Sequence, residues 1–406
     1  MNNYRTIIIG GGPAGLCAAT SAARALDNAK GKVLLLESSP ETGRKLLISG
    51  SGQCNYTNNL PVEDFLKRLG QYAMYLKPAF YGFNNIALAQ HLRDVGCYST
   101  TREDGKVFPQ TLQADDIRIA LMKQLYLAGA VILTNAKVEA ITKLPEGNFR
   151  IDIEEKQYMI CDKVILATGG ASYPQTGSDG KAVMLAKALG HNPVAFRPHL
   201  SSVSLMDFAG YSKCAGISIP DLTARFIGKE RSFRATGSLL ITHTGFSGPL
   251  ILDNSHRLEK GDTISVAWVP GADAMIKVLK EQPASMSILN TLWRAPIPKN
   301  LLRAILAENK IPLMQSMAVL TRKDLNTLAS ILMDCRFTIK NISGLSTAMA
   351  SAGGIPLSEI NAKTMESRLC PGLFFAGEIM DYALPSGGFN IQIACSTGWL
   401  AGKNLH

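Results

Sequence analysis

A set of glycines followed by a carboxylate is the first pattern in the chain that could do chemistry. Gly10, Gly12 and Gly15 have the G-x-G-x-x-G spacing directly after a short apolar run, and Glu37 ends the next apolar run. The first glycine permits a tight turn, the second lets a pyrophosphate approach the backbone, and the third allows a helix to pack closely on a strand. A carboxylate at position 37 can accept hydrogen bonds from both ribose hydroxyls of an adenosine. The pattern predicts a site for an unphosphorylated dinucleotide, and an ordinary strand–turn–helix is the alternative.

Two later segments favour FAD as that dinucleotide. One apolar strand ends in Ala167, Thr168 and Gly169, and another ends in Gly377 and Glu378. Strands that end in this way, far downstream of a glycine pattern, are typical of FAD-binding domains, where the acid bonds the ribityl hydroxyls. A plain turn at each strand end is the alternative. Together with the first pattern, the two segments predict an FAD site.

A glycine-rich loop at residues 385–392 opens the last predicted helix, with Asn390 and Gln392 in its first turn. The N-terminus of a helix carries positive potential. Beside the N1–C2=O edge of a flavin, that potential stabilises the anionic reduced form and so tunes the redox chemistry. An ordinary loop before a packed helix is the alternative.

Cys54 and His243 are the candidate catalytic residues. Cys54 lies in a Gly- and Asn-rich segment, and a packing or flavin-contact role is the alternative to a nucleophile, because the sequence shows no base beside it. His243 begins a Thr-Gly-Phe-Ser-Gly-Pro turn and is a candidate proton donor facing a cleft between domains, with a structural turn histidine as the alternative. His199 and Tyr173 are weaker candidates.

The elements that must position these residues form an α/β fold. Strands and helices alternate over residues 5–190, including a helix at about 14–25 and a strand at 33–36. Short β-like runs over 194–270 predict an inserted barrel or sandwich, and residues 273–332 turn helical. We expect a discontinuous Rossmann-like FAD-binding domain at 1–193 and 341–406, a β-rich insertion at 194–272 and 320–340, and a helical insertion at 273–319.

Composition excludes several classes of protein. The 406 residues are 46% hydrophobic and 18% charged, which is a globular rather than a disordered balance. The eight cysteines are scattered, without a C-x-x-C pair or a metal-ligand spacing, as in a reduced protein. Signal-peptide and membrane-spanning patterns are missing. We expect a cytoplasmic protein with neither a bound metal nor a membrane partner.

The formal net charge of +10 has two explanations. A basic solvated surface is the simpler one, and an anionic partner such as RNA is the other. The sequence contains no run of five Lys or Arg residues and no RNA-binding motif, so an RNA partner rests on charge alone.

The chain resembles the HI0933-like (YhiN/BaiN-type) FAD flavoproteins of bacteria over nearly its whole length. Segments 43–58 and 242–249 are specific to that family, whereas segment 9–15 is shared by very many flavoenzymes. The other matching segments are 105–109, 352–354, 364–367 and 371–378.

The resemblance implies tight, non-covalent FAD in a three-part architecture: an FAD-binding domain from both chain ends, a β-barrel-like insertion, and a helical insertion within it. It places Gly12 at the pyrophosphate, Glu37 at the adenosine ribose, and the backbone of Val138 at the adenine. The other cofactor residues that it implies are Gly10, Pro13, Ala14, Gly15, Ser38, Arg44, Lys45, Ser49, Gly50, Gly52, Cys54, Asn55, Ala167, Thr168, Gly169, Gly377, Glu378, Gly388, Phe389, Asn390 and Ile391.

The chain departs from the family pattern at two places. The family usually has Gly-Gly-Gly-Arg-Cys-Asn where this chain has residues 50–55 with Gln53, so a guanidinium is lost. The loop 381–386 also differs. If the guanidinium of the family binds an anionic substrate or the charge of the flavin, its loss here affects which substrate is expected.

The reaction that the resemblance implies is hydride transfer between flavin N5 and an organic substrate. We expect reduction of a conjugated C=C bond with NAD(P)H as donor and a small molecule as substrate. Reduction of uracil in ribosomal RNA and oxidation of an amine are the alternatives. A dedicated NAD(P)H domain is not expected, because the sequence has no second G-x-G-x-x-G pattern.

Overall fold

A computed structural model describes residues 3–26, 32–155, 157–269, 297–312 and 319–405, with the single residues 271, 287, 288, 292, 314 and 316. The chain forms two compact units. Unit 1 comprises Met1–His199 and Leu345–His406, and unit 2 comprises Leu200–Gly344. Much of the helical insertion expected at 273–319 lies outside the described residues.

The strands of the described residues are β1 Asn3–Ile9, β2 Val33–Leu36, β3 Thr57–Asn58, β4 Ser99–Thr101, β5 Lys106–Pro109, β6 Val131–Leu133, β7 Val138–Lys143, β8 Phe149–Ile153, β9 Gln157–Leu166, β10 Val194–His199, β11 Val203–Leu205, β12 Ser218–Ile227, β13 Ser232–Ile241, β14 Gly245–Ser247, β15 Thr263–Val266, β16 Cys335–Ile342, β17 Ala350–Gly354 and β18 Leu373–Phe375. The helices are α1 Pro13–Ala25, α2 Arg44–Leu47, α3 Val62–Arg68, α4 Ala73–Gly82, α5 Asn85–Arg93, α6 Ala114–Leu127, α7 Val183–Ala188, α8 Pro249–Leu252, α9 Lys299–Glu308, α10 Arg322–Met333 and α11 Phe389–Lys403. Among them, none combines the length and the apolar character that crossing a bilayer requires.

Unit 1 is organised around a seven-stranded sheet in the order β6-β2-β1-β9-β8-β7, with β18 also paired to β9. The central strand β1 pairs in parallel with both neighbours, so that Ile8 lies opposite Leu35 on one side and Ile165 on the other. These residues are buried, as expected for parallel strands that are covered on both faces.

The two ends of the chain meet in this sheet. Strand β9 pairs with β8 at its start and in parallel with β18 at its end, where Phe375 lies opposite Leu166. Helix α11 then packs against α1 so closely that a Cβ on Gly398 would lie 2.0 Å from the Ala14 carbonyl oxygen. The predicted α/β fold class, with one Rossmann-like domain built from both ends, is therefore confirmed.

Unit 2 contains a closed six-stranded barrel in the order β11-β14-β13-β12-β15-β16. Its aromatic core includes Phe246 and Phe337, whose ring centroids are 4.9 Å apart at a steep angle, with Trp268 beside both. The predicted β-barrel-like insertion is confirmed. Helices α9 and α10 bury one apolar face each, through residues such as Leu301 and Leu328.

Candidate functional site

The glycine turn between β1 and α1 is shaped by close backbone packing at two of its three glycines. Gly10 has φ +107°, and a Cβ there would lie 2.5 Å from the Ala167 carbonyl oxygen. A Cβ on Gly15 would lie 1.9 Å from the Gly10 oxygen. A Cβ on Gly12, in contrast, would meet nothing within 4 Å among the described residues. The middle glycine therefore faces open space, where a pyrophosphate could approach the backbone.

Helix α1 begins at this open space. Pro13 occupies its first turn and has no N–H, and the first hydrogen bond of the helix runs from the Leu16 amide to the Gly12 oxygen at 3.0 Å. The amides of Ala14 and Gly15 precede that bond, and the first amides of a helix have no acceptor within it. A helix N-terminus of this kind can bind the phosphates of a dinucleotide.

The carboxylate of Glu37 is held beside the glycine turn by backbone amides. Its Oε2 accepts from the Gly11 amide at 2.8 Å, and its Oε1 accepts from the Ser39 amide at 2.7 Å. The Ser38 hydroxyl donates to Oε1 at 3.3 Å. These three bonds fix the carboxylate in position. A carboxylate oxygen has two lone pairs, and Oε2, which accepts one of these bonds, can still accept from a ribose hydroxyl.

Backbone hydrogen bonds join the segment just before Val138 to Glu37 and Ser39. The Asn135 amide donates to the Ser39 oxygen at 3.1 Å, and the Ala136 amide donates to the Glu37 oxygen at 2.9 Å. Val138 begins β7 two residues later, half-buried. The segment that leads into the residue predicted for the adenine is thus bonded to the residue predicted for the ribose.

Lys45 and Glu378 form an ion pair at the other end of the site. The Lys45 Nζ lies 2.6 Å from Glu378 Oε2 and also donates to the Ser172 hydroxyl. Glu378 Oε1 accepts from the Ser351 amide at 2.7 Å and from its hydroxyl at 3.1 Å. Arg44 is exposed and donates to the Gln175 oxygen at 3.1 Å.

Sequence reasoning missed Ser172 and Ser351, although each lies next to a segment that it did single out. Ser172 follows the strand that ends at Gly169, and Ser351 precedes the matching segment 352–354. A Cβ on Gly170 would lie 2.1 Å from the Ser351 hydroxyl, so the glycine lets the cluster close.

Several residues of the loop 49–55 have left-handed backbone conformations. Gly50, Ser51, Gly52 and Cys54 all have φ between +55° and +85°. A non-glycine residue with positive φ is uncommon and often marks a functional loop. The Cys54 amide donates to the Ser49 oxygen at 3.0 Å and closes the turn.

The Cys54 side chain is buried in this loop, and burial raises the pKa of its thiol to about 12. A thiol with that pKa is protonated at neutral pH, and the thiolate rather than the thiol is the nucleophile. The geometry therefore favours the packing or flavin-contact alternative for Cys54.

Two buried oxygen atoms at the site have no hydrogen-bond partner among the described residues. They are Asn55 Oδ1, in this loop, and Thr168 Oγ1, at the end of β9. Buried polar atoms are satisfied in almost all native structures. An FAD that contacts both atoms could supply the missing partners, so the residues present fit this cofactor.

The side chains in the first turn of α11 contact other parts of unit 1. Gly388 has φ +95°, and a Cβ there would lie 2.3 Å from the Thr57 oxygen. The buried ring of Phe389 packs 4.8 Å from that of Phe65. Asn390 donates to the Leu384 oxygen at 3.3 Å. The backbones of Gly388 and Ile391, and the start of the helix, are what this turn offers a flavin.

Gln392 is fully buried and bridges three elements. Its Oε1 accepts from the Thr57 hydroxyl at 2.6 Å, and its Nε2 donates to the Phe83 oxygen at 3.0 Å. Gln392 therefore bonds α11 to β3 and to the residue after α4.

Gly377, which precedes Glu378, has φ +73°, and a Cβ there would lie 2.8 Å from the Ala14 Cβ. Gly377 thus allows close packing against α1.

The two candidate histidines, His243 and His199, belong to different units of the chain. His243 belongs to unit 2 and is exposed in the turn between β13 and β14, where the Thr242 amide donates to the Gly245 oxygen at 2.8 Å. His199 lies in unit 1 and donates from Nε2 to the Leu384 oxygen at 2.9 Å, and burial lowers its pKa. The role of His243 stays a prediction.

Comparisons with known proteins agree with the geometry. A family model described as the HI0933-like protein Rossmann domain matches residues 4–404. The ribosomal RNA dihydrouridine synthase of Escherichia coli (strain K12) is 30% identical over 409 residues, which cover 100% of this chain and 98% of the relative. The 3-dehydro-bile acid delta(4,6)-reductase of Clostridium scindens is 29% identical over 412 residues, which cover 98% of this chain and 97% of that protein.

Among solved structures, the 3-ketosteroid-delta4-(5alpha)-dehydrogenase of Rhodococcus jostii RHA1 has the same fold. Its TM-score is 0.53 at 14% identity, and the match covers 99% of this chain and 96% of that chain. The family match spans nearly the whole chain and includes every residue of the site in unit 1. The chain belongs to the HI0933-like family and is an FAD-dependent oxidoreductase.

Proposed function

We propose that the protein transfers a hydride between flavin N5 and an organic substrate, and that it reduces a carbon–carbon double bond conjugated to a carbonyl, with NAD(P)H as the electron donor. Bound FAD supplies the hydride chemistry. The observation that carries the cofactor part of the proposal is the set of unsatisfied or open groups in unit 1: the space at Gly12 and the oxygens of Asn55 and Thr168 that have no partner among the described residues.

The names of the relatives support the class of bond. One relative makes dihydrouridine in ribosomal RNA, and the other reduces delta(4,6) bonds of a 3-dehydro-bile acid. Uracil and a 4-en-3-one differ greatly in size, but each has a C=C bond conjugated to a carbonyl, which polarises the bond for hydride addition. The shared feature is therefore the reacting bond rather than the rest of the substrate.

The residues of this chain would bind and orient the cofactor at both ends. The amides of Ala14 and Gly15 would hold the pyrophosphate, and Glu37 would hold the adenosine ribose. The carboxylate of Glu378, fixed by Lys45 and Ser351, would accept from the ribityl hydroxyls. We keep His243 as the candidate proton donor to the substrate carbon that does not receive the hydride.

Reduction of uracil in RNA is the second candidate, and charge favours it. Residues 200–344 carry 17 Lys and Arg against 11 Asp and Glu, which is more than half of the net charge of +10. Basic surfaces bind the phosphate backbone, with an affinity that falls steeply as salt rises. No detectable binding of RNA at low salt would remove this candidate.

Product analysis tests the proposal and separates the two candidates. FAD-loaded protein is incubated without oxygen with NADPH or NADH and with either a 3-oxo-4-ene steroid acid or ribosomal RNA that lacks dihydrouridine. We expect one of the two substrates to gain the mass of two hydrogens. Reduction of the flavin by NAD(P)H without product from either substrate would count against a C=C reductase. Failure of both pyridine nucleotides to reduce the flavin would favour an oxidase.

A further inference from the structure

Arg102 presents a guanidinium to the side chain of Gln53 in the loop 49–55. The Arg102 Nη2 donates to the Gln53 Oε1 at 2.6 Å. The guanidinium also lies over the ring of Phe108, with 4.0 Å between Cζ and the ring centroid. The two contacts hold the planar group from its edge and from its face.

The backbone around Arg102 keeps this arrangement rigid. Arg102 and Lys106 close the hairpin between β4 and β5, since the Arg102 amide donates to the Lys106 oxygen at 2.9 Å. The same hairpin is tied to the loop, because the Tyr56 amide donates to the Val107 oxygen at 3.1 Å. A guanidinium that is stacked and fixed in this way loses little freedom when it binds an anion.

Most of the donors of this guanidinium are not used within the protein. A guanidinium has about five N–H donors, and in the described part of the chain the Arg102 group makes the single hydrogen bond to Gln53. The same hairpin contains two acids, Glu103 and Asp104. Asp104 forms an ion pair with Lys106 at 2.6 Å, and neither acid forms one with Arg102 in the described part of the chain. Arg102 is exposed, so its remaining N–H groups are accessible to an anion from solvent.

We propose that Arg102 is a specificity residue that binds an anionic group of the substrate, a carboxylate or a phosphate, through its guanidinium. The inference rests on the proposed function, because the loop 49–55 is the segment that would line the flavin. Arginine matches both anions through paired N–H···O bonds. The guanidinium would thus reach the loop 49–55 from a neighbouring hairpin.

Binding to the FAD-loaded protein tests this without any turnover. The change in flavin absorbance is titrated with two pairs of probes: a 3-oxo-4-ene steroid acid against its methyl ester, and uridine 5′-monophosphate against uridine. We expect the wild type to bind the anionic member of one pair at least about 10-fold more tightly than the neutral member, the size of a charged hydrogen bond. The pair that shows the preference identifies carboxylate or phosphate as the anion.

Three variants assign the preference to Arg102. Arg102→Gln should abolish it, and Gln53→Arg in the Arg102→Gln background should restore it by moving the guanidinium to position 53. Arg150→Gln is the matched control, because Arg150 is also exposed, lies 4.4 Å over the ring of Tyr158 and bonds to a neighbour, Asp152, at 2.8 Å. Its removal should change nothing.

The proposal is overturned if neither anion is preferred by the wild type, or if Arg102→Gln keeps the preference. Either result leaves C=C reduction open, because that activity is measured separately by product mass. Conversely, an anion preference that depends on Arg102 supports the inference even if the reduced bond is of another class.

Discussion

The Nζ of Lys45 lies 2.6 Å from Oε2 of Glu378, although 333 residues separate the two in the chain. The ion pair joins a short helix near the N-terminus to the segment just after a strand near the C-terminus, and both side chains are half-buried. It sets the position of the carboxylate that would meet the ribityl chain. The pair thus joins segments from both ends of the chain where we propose that the cofactor binds.

Removal of one partner of this pair should weaken FAD binding. We expect Lys45→Met and Glu378→Gln each to lower FAD affinity by about 10-fold, because each leaves the other group half-buried without its charged partner. The double variant should lose far less FAD affinity than the product of the two single fold-losses, since substitutions of residues in contact do not act independently. FAD affinity is measured by quenching of flavin fluorescence. Lys67→Met, which breaks an exposed ion pair with Asp64, is the control; full additivity of the two losses would show that the pair does not act as a unit.

Reversal of charge at Glu37 should abolish FAD retention. Glu37→Arg removes the acceptor for the ribose and the two bonds from the Gly11 and Ser39 amides. The flavin absorbance per mole of purified protein measures the effect, and Glu146→Arg, at an exposed turn, makes the same charge change elsewhere. A Glu37→Arg protein with full yellow colour would contradict the role of this carboxylate.

Gly12 and Gly15 should respond to substitution in opposite ways. Gly12→Val should leave the apoprotein folded, at a cost of at most about 1 kcal/mol, because a Cβ there meets nothing within 4 Å, yet it should block the pyrophosphate. Gly15→Ala should destabilise the apoprotein by about 3 kcal/mol, because its Cβ would lie 1.9 Å from a backbone oxygen. Denaturant unfolding of both apoproteins and their FAD content are the measurements. Equal losses of stability would show that the two glycines have the same role.

Residues of the site that are positioned by nearby residues in the sequence could be predicted, whereas those positioned by distant segments could not. The glycine turn and Glu37 could be predicted, because a turn, a close approach and an acid at a strand end are requirements of one βαβ unit. Ser172 and Ser351 could not, since the Ser351 position depends on the pairing of β17 with β10. The family resemblance implies that Asn390 and Phe389 contact the cofactor, and this stays a prediction. The Asn390 side chain also donates to a loop and the Phe389 ring packs on Phe65, contacts that a helix-start pattern does not reveal.

Acid should destabilise the protein through His91. Burial, followed by the nearby charge of Arg24, lowers the pKa of this histidine from 6.5 to about 4, and its ring packs at a steep angle against Phe83 and Trp399. Because the folded-state pKa is the lower one, the stabilisation is complete above pH 6.5 and is lost as the pH falls toward 4. The wild type should lose about 3 kcal/mol over that range.

His91→Phe tests this prediction, because it keeps an aromatic ring and removes the titration. The free energy of unfolding of both apoproteins is measured in urea at pH 7 and at pH 4. The difference between the two pH values should be smaller by about 3 kcal/mol in the variant. An unchanged pH dependence would mean that other groups cause the acid instability.

The central claim is that unit 1 holds an FAD whose electrons reduce a C=C bond conjugated to a carbonyl. Its most direct test is the flavin absorbance of the FAD-loaded protein in an anaerobic stopped-flow experiment. We predict that NADPH or NADH bleaches the flavin, and that a second mixing with the 3-oxo-4-ene steroid acid or the unmodified ribosomal RNA restores the oxidised spectrum before any oxygen is admitted. A flavin that stays bleached with both substrates, and regains its colour only in air, would contradict the account.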